Sequence, residues 1–129
     1  MQIEVLRLSH RIGRDPRLST HLALTARAFL ANKIFYSGDK DSKLEETVNG
    51  VTEQFGGDFK IDFIKDPVKL IKEKKNEKYL ISHLTVYGLT LDSVLEKIKH
   101  NKKILIIVGG EKVQPEIFQL ADCNVSITN

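Results

Sequence analysis

Between Lys103 and Val108 the chain reads Lys-Ile-Leu-Ile-Ile-Val, apolar at five consecutive positions, and then breaks at Gly109-Gly110. A strand with no polar side must be covered on both faces, the condition met by a parallel sheet between helices. The remaining pattern agrees. Strands are predicted at Ile3 to Leu8, Lys33 to Ser37, Phe59 to Ile64, Lys78 to Leu84, Lys103 to Val108 and Asn124 to Thr128. Helical spacing recurs in Leu44, Val48, Val51 and Phe55, and again in Leu91, Val94, Leu95 and Ile98. A further helix is expected to begin near Ser19 or Thr20 and to bury Leu22, Ala26 and Phe29. Asp66-Pro67 and Gln114-Pro115 read as helix starts, while Lys72 to Lys78 reads as a solvated charge run. Six strands alternating with five helices, without repeats or linkers, predict one α/β domain over 1–129: a mostly parallel six-stranded sheet with helices on both faces.

A length of 129 residues and a hydrophobic content of 41% suffice for a sizeable core. The sequence lacks the run of about 18 apolar residues that a membrane span needs. The start Met-Gln-Ile-Glu has no signal-like character, and the single Cys123 has no partner for an internal disulfide. A cytoplasmic location is expected, with Cys123 a small buried residue. Four histidines and one cysteine are scattered without ligand spacing, so no metal is expected. A net charge of +3 and a pI near 9.0 are too mild to indicate nucleic acid, so placement of the charge decides.

That placement is uneven. All five arginines (Arg7, Arg11, Arg14, Arg17, Arg27) precede residue 28, whereas all fifteen lysines lie between Lys33 and Lys112. Guanidinium binds phosphate bidentately and ammonium does not. A segment using only arginine, with His10 and His21 interspersed, reads either as a phosphate-gripping site or as a self-solvating charge run. Arg11, Arg14 and Arg17 are expected in the loop between a strand's carboxyl end and a helix amino terminus, where α/β sheets collect ligands.

Two more loops follow strands. Gly109-Gly110-Glu111-Lys112-Val113 could let a ligand approach the backbone, or be a tight turn. It matches neither GxGxxG nor the lysine-containing phosphate loop, which argues against an unrelated nucleotide-binding domain. Ser82-His83-Leu84-Thr85-Val86-Tyr87-Gly88 ends another strand, with His83 read as a satisfied core histidine.

Taken in order, Leu6-Arg7-Leu8, His10-Arg11, Arg14-Asp15, Arg17, Thr20-His21, Leu24 to Phe29, His83-Leu84-Thr85 with Tyr87-Gly88, and Ile107-Val108-Gly109 with Glu111-Lys112-Val113 resemble the archaeal tRNA cytidine-56 2'-O-methyltransferases of the SPOUT, or α/β-knot, superfamily. Ser9, Leu30 and Gly110 fall where the resemblance leads one to expect other small residues, glycine or alanine. The resemblance implies an α/β-knot fold, methyl transfer from S-adenosylmethionine to a ribose hydroxyl in the T-loop of tRNA, and a homodimer. It implies cofactor contacts at Leu84, Gly109, Gly110, Glu111, Lys112, Val113, Ile127, Thr128 and Asn129. It implies tRNA contacts at Arg7, His10, Arg11, Arg14 and Arg17.

Catalytic roles are expected for Arg11, Arg14 and His21. An arginine is always protonated and suits a phosphate clamp better than a base. His21 is either the proton acceptor or a hydrogen bonder at a helix start. Glu111 either orients the substrate or caps the next helix. The sequence stops at Asn129, where the family continues into a long helix. The knot is therefore expected to be incomplete, and the domain to be truncated at its carboxyl end relative to the family. The competing expectation is an inactive homologue that binds tRNA without catalysis.

Overall fold

The computed structural model describes residues 2–13, 16–85, 89–90, 100–109 and 113–126. Its strands are β1 (Gln2–His10), β2 (Lys33–Gly38), β3 (Lys60–Phe63), β4 (Leu80–Thr85), β5 (Leu89–Thr90), β6 (Lys103–Val108) and β7 (Cys123–Ser126). Its helices are α1 (Pro16–Ala28), α2 (Ser42–Phe55), α3 (Pro67–Asn76) and α4 (Pro115–Leu120). The helix expected at Leu91 to Ile98 lies outside the described residues.

The sheet order is β3-β2-β1-β6-β4-β7-β5, and every pairing among the described residues is parallel. The six expected strands are all present; β5 adds a two-residue edge beside β7. The backbone steps from β1 through β2 to β3 at one edge, then crosses through α3 to β4 on the far side of β6. The winding therefore reverses between β1 and β6, and the carboxyl ends of these two strands form the topological switch point of the sheet.

Alternation along the strands divides the core. Leu6, Leu8, Ile81, Leu105 and Ile107 face α3 and α4, packing with Leu70, Ile71 and Ile117. Val5, Ile34, Tyr36 and Ile61 face α1 and α2, packing with Ala23, Leu44 and Val48. Asp41 and Asp66 cap α2 and α3 by accepting hydrogen bonds from the Leu44 and Lys69 amides, both at 3.1 Å. Cys123 is buried as expected.

The structure corrects several boundaries. Helix α1 begins at Pro16, because proline's fixed φ suits the first helical position; Asp15-Pro16 carried the same signal that marks α3. Arg17 thus belongs to the helix rather than to the loop. Phe29 lies beyond the end of α1 and is 79% exposed, so Ala23 fills the interior position instead. The charge run is not wholly solvated. Lys74 extends along the Tyr79 ring to the buried Glu4 carboxylate at 2.6 Å, and Tyr79 donates to the other Glu4 oxygen at 3.0 Å.

Ser9 and Leu30, two of the three departures from the expected small residues, have φ of 59° and 70°. That left-handed backbone suits glycine and penalises a Cβ. Leu30 is also 83% exposed, so its cost is conformational rather than one of packing. Leu30→Gly is expected to stabilise the fold by roughly 1 kcal/mol, less the entropy glycine adds to the unfolded state. Chemical denaturation showing Leu30→Gly less stable than the parent would refute this account of the turn.

Candidate functional site

The carboxyl ends of β1, β6 and β4 lie side by side. Arg7 pairs in register with Val108, and Leu84 pairs with Val108 from the other side. Residues 11–13, the end of β4 and the Gly109 turn thus emerge on one edge of the sheet.

Arg7 points inward toward α1 and is 7% exposed. Its Nε donates to Ser19 Oγ at 3.3 Å, and its Nη1 donates to the carbonyls of Leu8 and Gly109, both at 2.9 Å. The guanidinium therefore ties β1, α1 and the turn after β6 together. His10 is fully buried, with Nδ1 at 2.7 Å from Ser19 Oγ and Nε2 at 2.8 Å from Asp41 Oδ2. The hydrogen bond from His10 holds the Asp41 carboxyl below its ordinary pKa. With Asp41 ionised, Nε2 carries the proton. In a neutral ring Nδ1 then accepts from the Ser19 hydroxyl, whose oxygen accepts from Arg7. Tyr36 closes the group, donating to Glu45 and accepting from the Asp41 amide at 2.9 Å, and its hydroxyl is pushed up to about 12 by burial and Glu45.

Arg7 and His10 were expected at the tRNA surface, but in this structure their polar atoms are engaged inside the protein. The alternation of β1 turns Arg7 inward, and pairing with Gly38 extends the strand through His10. Gly38, at φ 100°, permits that approach, since a Cβ there would lie 2.4 Å from the His10 carbonyl oxygen. Beyond His10, Asp39 accepts from the Ile12 amide at 3.1 Å and pins the next turn.

Arg11 is exposed in that turn. Arg17 and His21 are exposed one helical turn apart on α1, on the same solvent face. Ser19 and Ala23, offset from them, form the buried side. On the neighbouring strand, Gly109 follows β6 directly. A Cβ on it would meet Val113 Cγ2 at 2.6 Å, so any side chain there would have to displace the Val113 methyl. Leu84 packs on Cys123 and Val125. Leu84, Gly109 and Val113 are thereby gathered at one edge, next to His83.

Arg14, Gly110, Glu111, Lys112, Ile127, Thr128 and Asn129 lie outside the described residues. Sequence reasoning overlooked Ser19, Asp41 and Asn124, the partners that orient Arg7, His10 and His83. An Asp preceding a helical repeat signalled the cap at Asp41, but nothing in the sequence pairs it with His10, thirty-one positions away.

A seven-stranded parallel sheet whose winding reverses beside Gly109, with arginines exposed on the neighbouring loop and helix, defines an α/β protein with a topological switch point, where sheets of this class bind their ligands. The A. aeolicus TrmH/SpoU tRNA modifying enzyme has this fold: TM-score 0.75 at 18% identity, covering 99% of this chain and 63% of that one. So does the SpoU methyltransferase AviRb from Streptomyces viridochromogenes, solved in complex with the cofactor AdoMet: TM-score 0.68 at 13% identity, covering 98% of this chain and 50% of that one. The fold is the SpoU/TrmH α/β-knot type.

Residues 55–129 match the family model described as tRNA ribose 2'-O-methyltransferase, aTrm56. Relatives named tRNA (cytidine(56)-2'-O)-methyltransferase include those of Methanosphaera stadtmanae, 45% identical over 98% of this chain and 73% of the relative, and Thermococcus kodakarensis, 44% identical over 98% and 72%. The chain belongs to the aTrm56 family of tRNA ribose 2'-O-methyltransferases. It spans about three quarters of the length of these relatives.

Asp41→Ala is expected to lose roughly 2–4 kcal/mol, combining a lost helix cap with a buried histidine nitrogen left without its acceptor. Because the folded-state pKa of Asp41 is depressed, its ionisation stabilises the fold above the ordinary carboxylate pKa, and that contribution fades as pH falls toward the folded value. Urea denaturation across acidic pH should show a shallower decline for Asp41→Ala than for the parent. Parallel curves would separate Asp41 from this linkage.

Proposed function

We propose that this protein catalyses S-adenosylmethionine-dependent 2'-O-methylation of cytidine-56 in the T-loop of tRNA. The observation that carries the reading is the juxtaposition of the exposed Arg11 and Arg17 with a glycine turn, at the switch point of a sheet shared with methyltransferases. The names of the relatives support the choice of nucleotide.

The residues present suit the cofactor. Gly109 presents bare backbone beside Val113 and His83, and Leu84 supplies apolar surface. S-adenosylmethionine, when bound, supplies an electrophilic methyl on a sulfonium. The protein's part is to hold the tRNA backbone, bring the ribose into line and accept a proton. Arg11 and Arg17 offer guanidinium forks to phosphates, with Arg14 assigned to the same clamp, and the amino terminus of α1 favours anions. His21, exposed beside Arg17, is assigned as the acceptor of the proton that the ribose hydroxyl would lose on methylation.

The proposal includes a homodimer in the cytoplasm. Phe29, Leu30 and Phe55 are 79%, 83% and 69% exposed, at helix ends that Arg27 joins by donating to the Gly56 carbonyl at 2.7 Å. Apolar surface of this kind fits a partner subunit. No helix among the described residues is long and apolar enough to cross a membrane.

Mass-spectrometric mapping of unmodified tRNA after incubation with S-adenosylmethionine should find one 2'-O-methyl group, at cytidine-56. Arg11→Ala should weaken tRNA binding and reduce its log–log salt slope by about 1. His21→Ala should lower turnover about 100-fold or more while tRNA affinity changes little. Methylation at another nucleotide would refute the substrate. Equal losses of turnover and affinity in His21→Ala would make that residue a positioning group, and tRNA binding without any product would leave a non-catalytic homologue.

A further inference from the structure

His83 is not the satisfied core histidine that its sequence context suggests. It lies on β4, in register with Ile107 on one side and Asn124 on the other, and is 1% exposed. Phe118 packs edge-on against its ring, with centroids 4.8 Å apart. Nδ1 lies 2.9 Å from Asn124 Oδ1, while Nε2 is buried with no hydrogen-bond partner among the described residues.

The surroundings fix which nitrogen carries the proton. Asn124 Nδ2 donates to the Phe118 carbonyl at 3.2 Å, which turns Asn124 Oδ1 toward the histidine. An amide oxygen only accepts, so Nδ1 must be the donor. Burial lowers the His83 pKa, which keeps the ring neutral at physiological pH. Nε2 is therefore a bare lone pair. A buried acceptor without a donor is costly, and such a group in a binding site points to something that arrives later.

The location shows where it would arrive. A Cβ on Gly109 would stand 3.7 Å from Nε2 and 2.6 Å from Val113 Cγ2, so the nitrogen faces the bare backbone of Gly109 with the Val113 methyl alongside, and a donor reaches it only if that methyl moves aside. We propose that Nε2 of His83 accepts a hydrogen bond from an N–H or O–H donor of the adenosyl cofactor, with the Phe118–Asn124 pair holding the ring in the accepting tautomer. The assignment rests on the methyltransferase reading and adds to it a binding residue and the sense of its hydrogen bond. The cofactor's donors are its adenine amino group, its ribose hydroxyls and the α-ammonium of its methionine half.

Nuclear magnetic resonance of the histidine ring nitrogens, with S-adenosylhomocysteine as the probe, tests it on the unsubstituted protein. Free Nε2 should resonate as an unprotonated nitrogen and move upfield at saturation, while Nδ1 stays protonated. By calorimetry, His83→Gln, whose amide can reach the Nε2 position, should bind the probe within about threefold of the parent. His83→Asn keeps only a polar group near Nδ1, and its affinity should fall on the order of tenfold.

An Nε2 signal unmoved while the probe binds overturns the assignment, and it decides the matter alone if His83→Asn fails to fold. Parent-like affinity in a folded His83→Asn overturns it too. No binding by the unsubstituted protein overturns the cofactor reading itself. 5'-Methylthioadenosine, which lacks the amino-acid half, identifies the donor once the shift is seen. A retained shift places the donor on the nucleoside, and a lost shift places it on the α-ammonium.

Discussion

The site depends on burying one guanidinium between three elements. Arg7 sits in the middle of β1, where alternation sends it under α1, and its hydrogen bonds reach Ser19, Leu8 and Gly109. A buried cation is tolerated only when its donors are engaged, so each acceptor is held where the guanidinium needs it. Ser19 is positioned by His10, and His10 by Asp41, which also caps α2. A series of polar contacts thus runs from the amino end of α2 to the turn after β6. It links the segment that carries the exposed arginines to Gly109 at the end of β6.

The four arginines among the described residues consequently divide by function. Arg7 and Arg27 bond to the protein, while Arg11 and Arg17 face solvent at the carboxyl edge of the sheet. Their clustering in the first 27 residues therefore has two physical causes. A planar fork with several donors can bridge buried carbonyls, and the same fork can grip phosphate. Composition alone does not separate these uses. Strand alternation does, because it decides which side groups turn toward α1.

The sheet was legible because its central strand β6 is apolar on both sides and its helices carry the 3.6-residue period. Lys103–Val108 needed no context. The start of α1 was less so, since Ser19 and Thr20 look like caps. Ser19 is instead buried within the helix, holding Arg7 and His10, and Pro16 sets the first turn. Phe29 read as core because it continues an apolar spacing, yet the backbone turns left-handed at Leu30 and leaves both residues outside. The site was legible in part: the glycine turn and the end of β4 announced themselves by following strands. The contacts of Arg7, His10 and His83 did not, because their partners are distant in sequence and meet only through sheet order.

The most direct test of this account is Arg7→Lys. A single ammonium on a flexible stem keeps the charge but cannot span Ser19 and the Leu8 and Gly109 carbonyls together. The account predicts a loss of roughly 2–4 kcal/mol in chemical denaturation, from buried acceptors left without donors, accompanied by weaker binding of both S-adenosylhomocysteine and tRNA. Unchanged stability and cofactor affinity, with tRNA binding weakened alone, would contradict it and place Arg7 on the phosphate backbone instead.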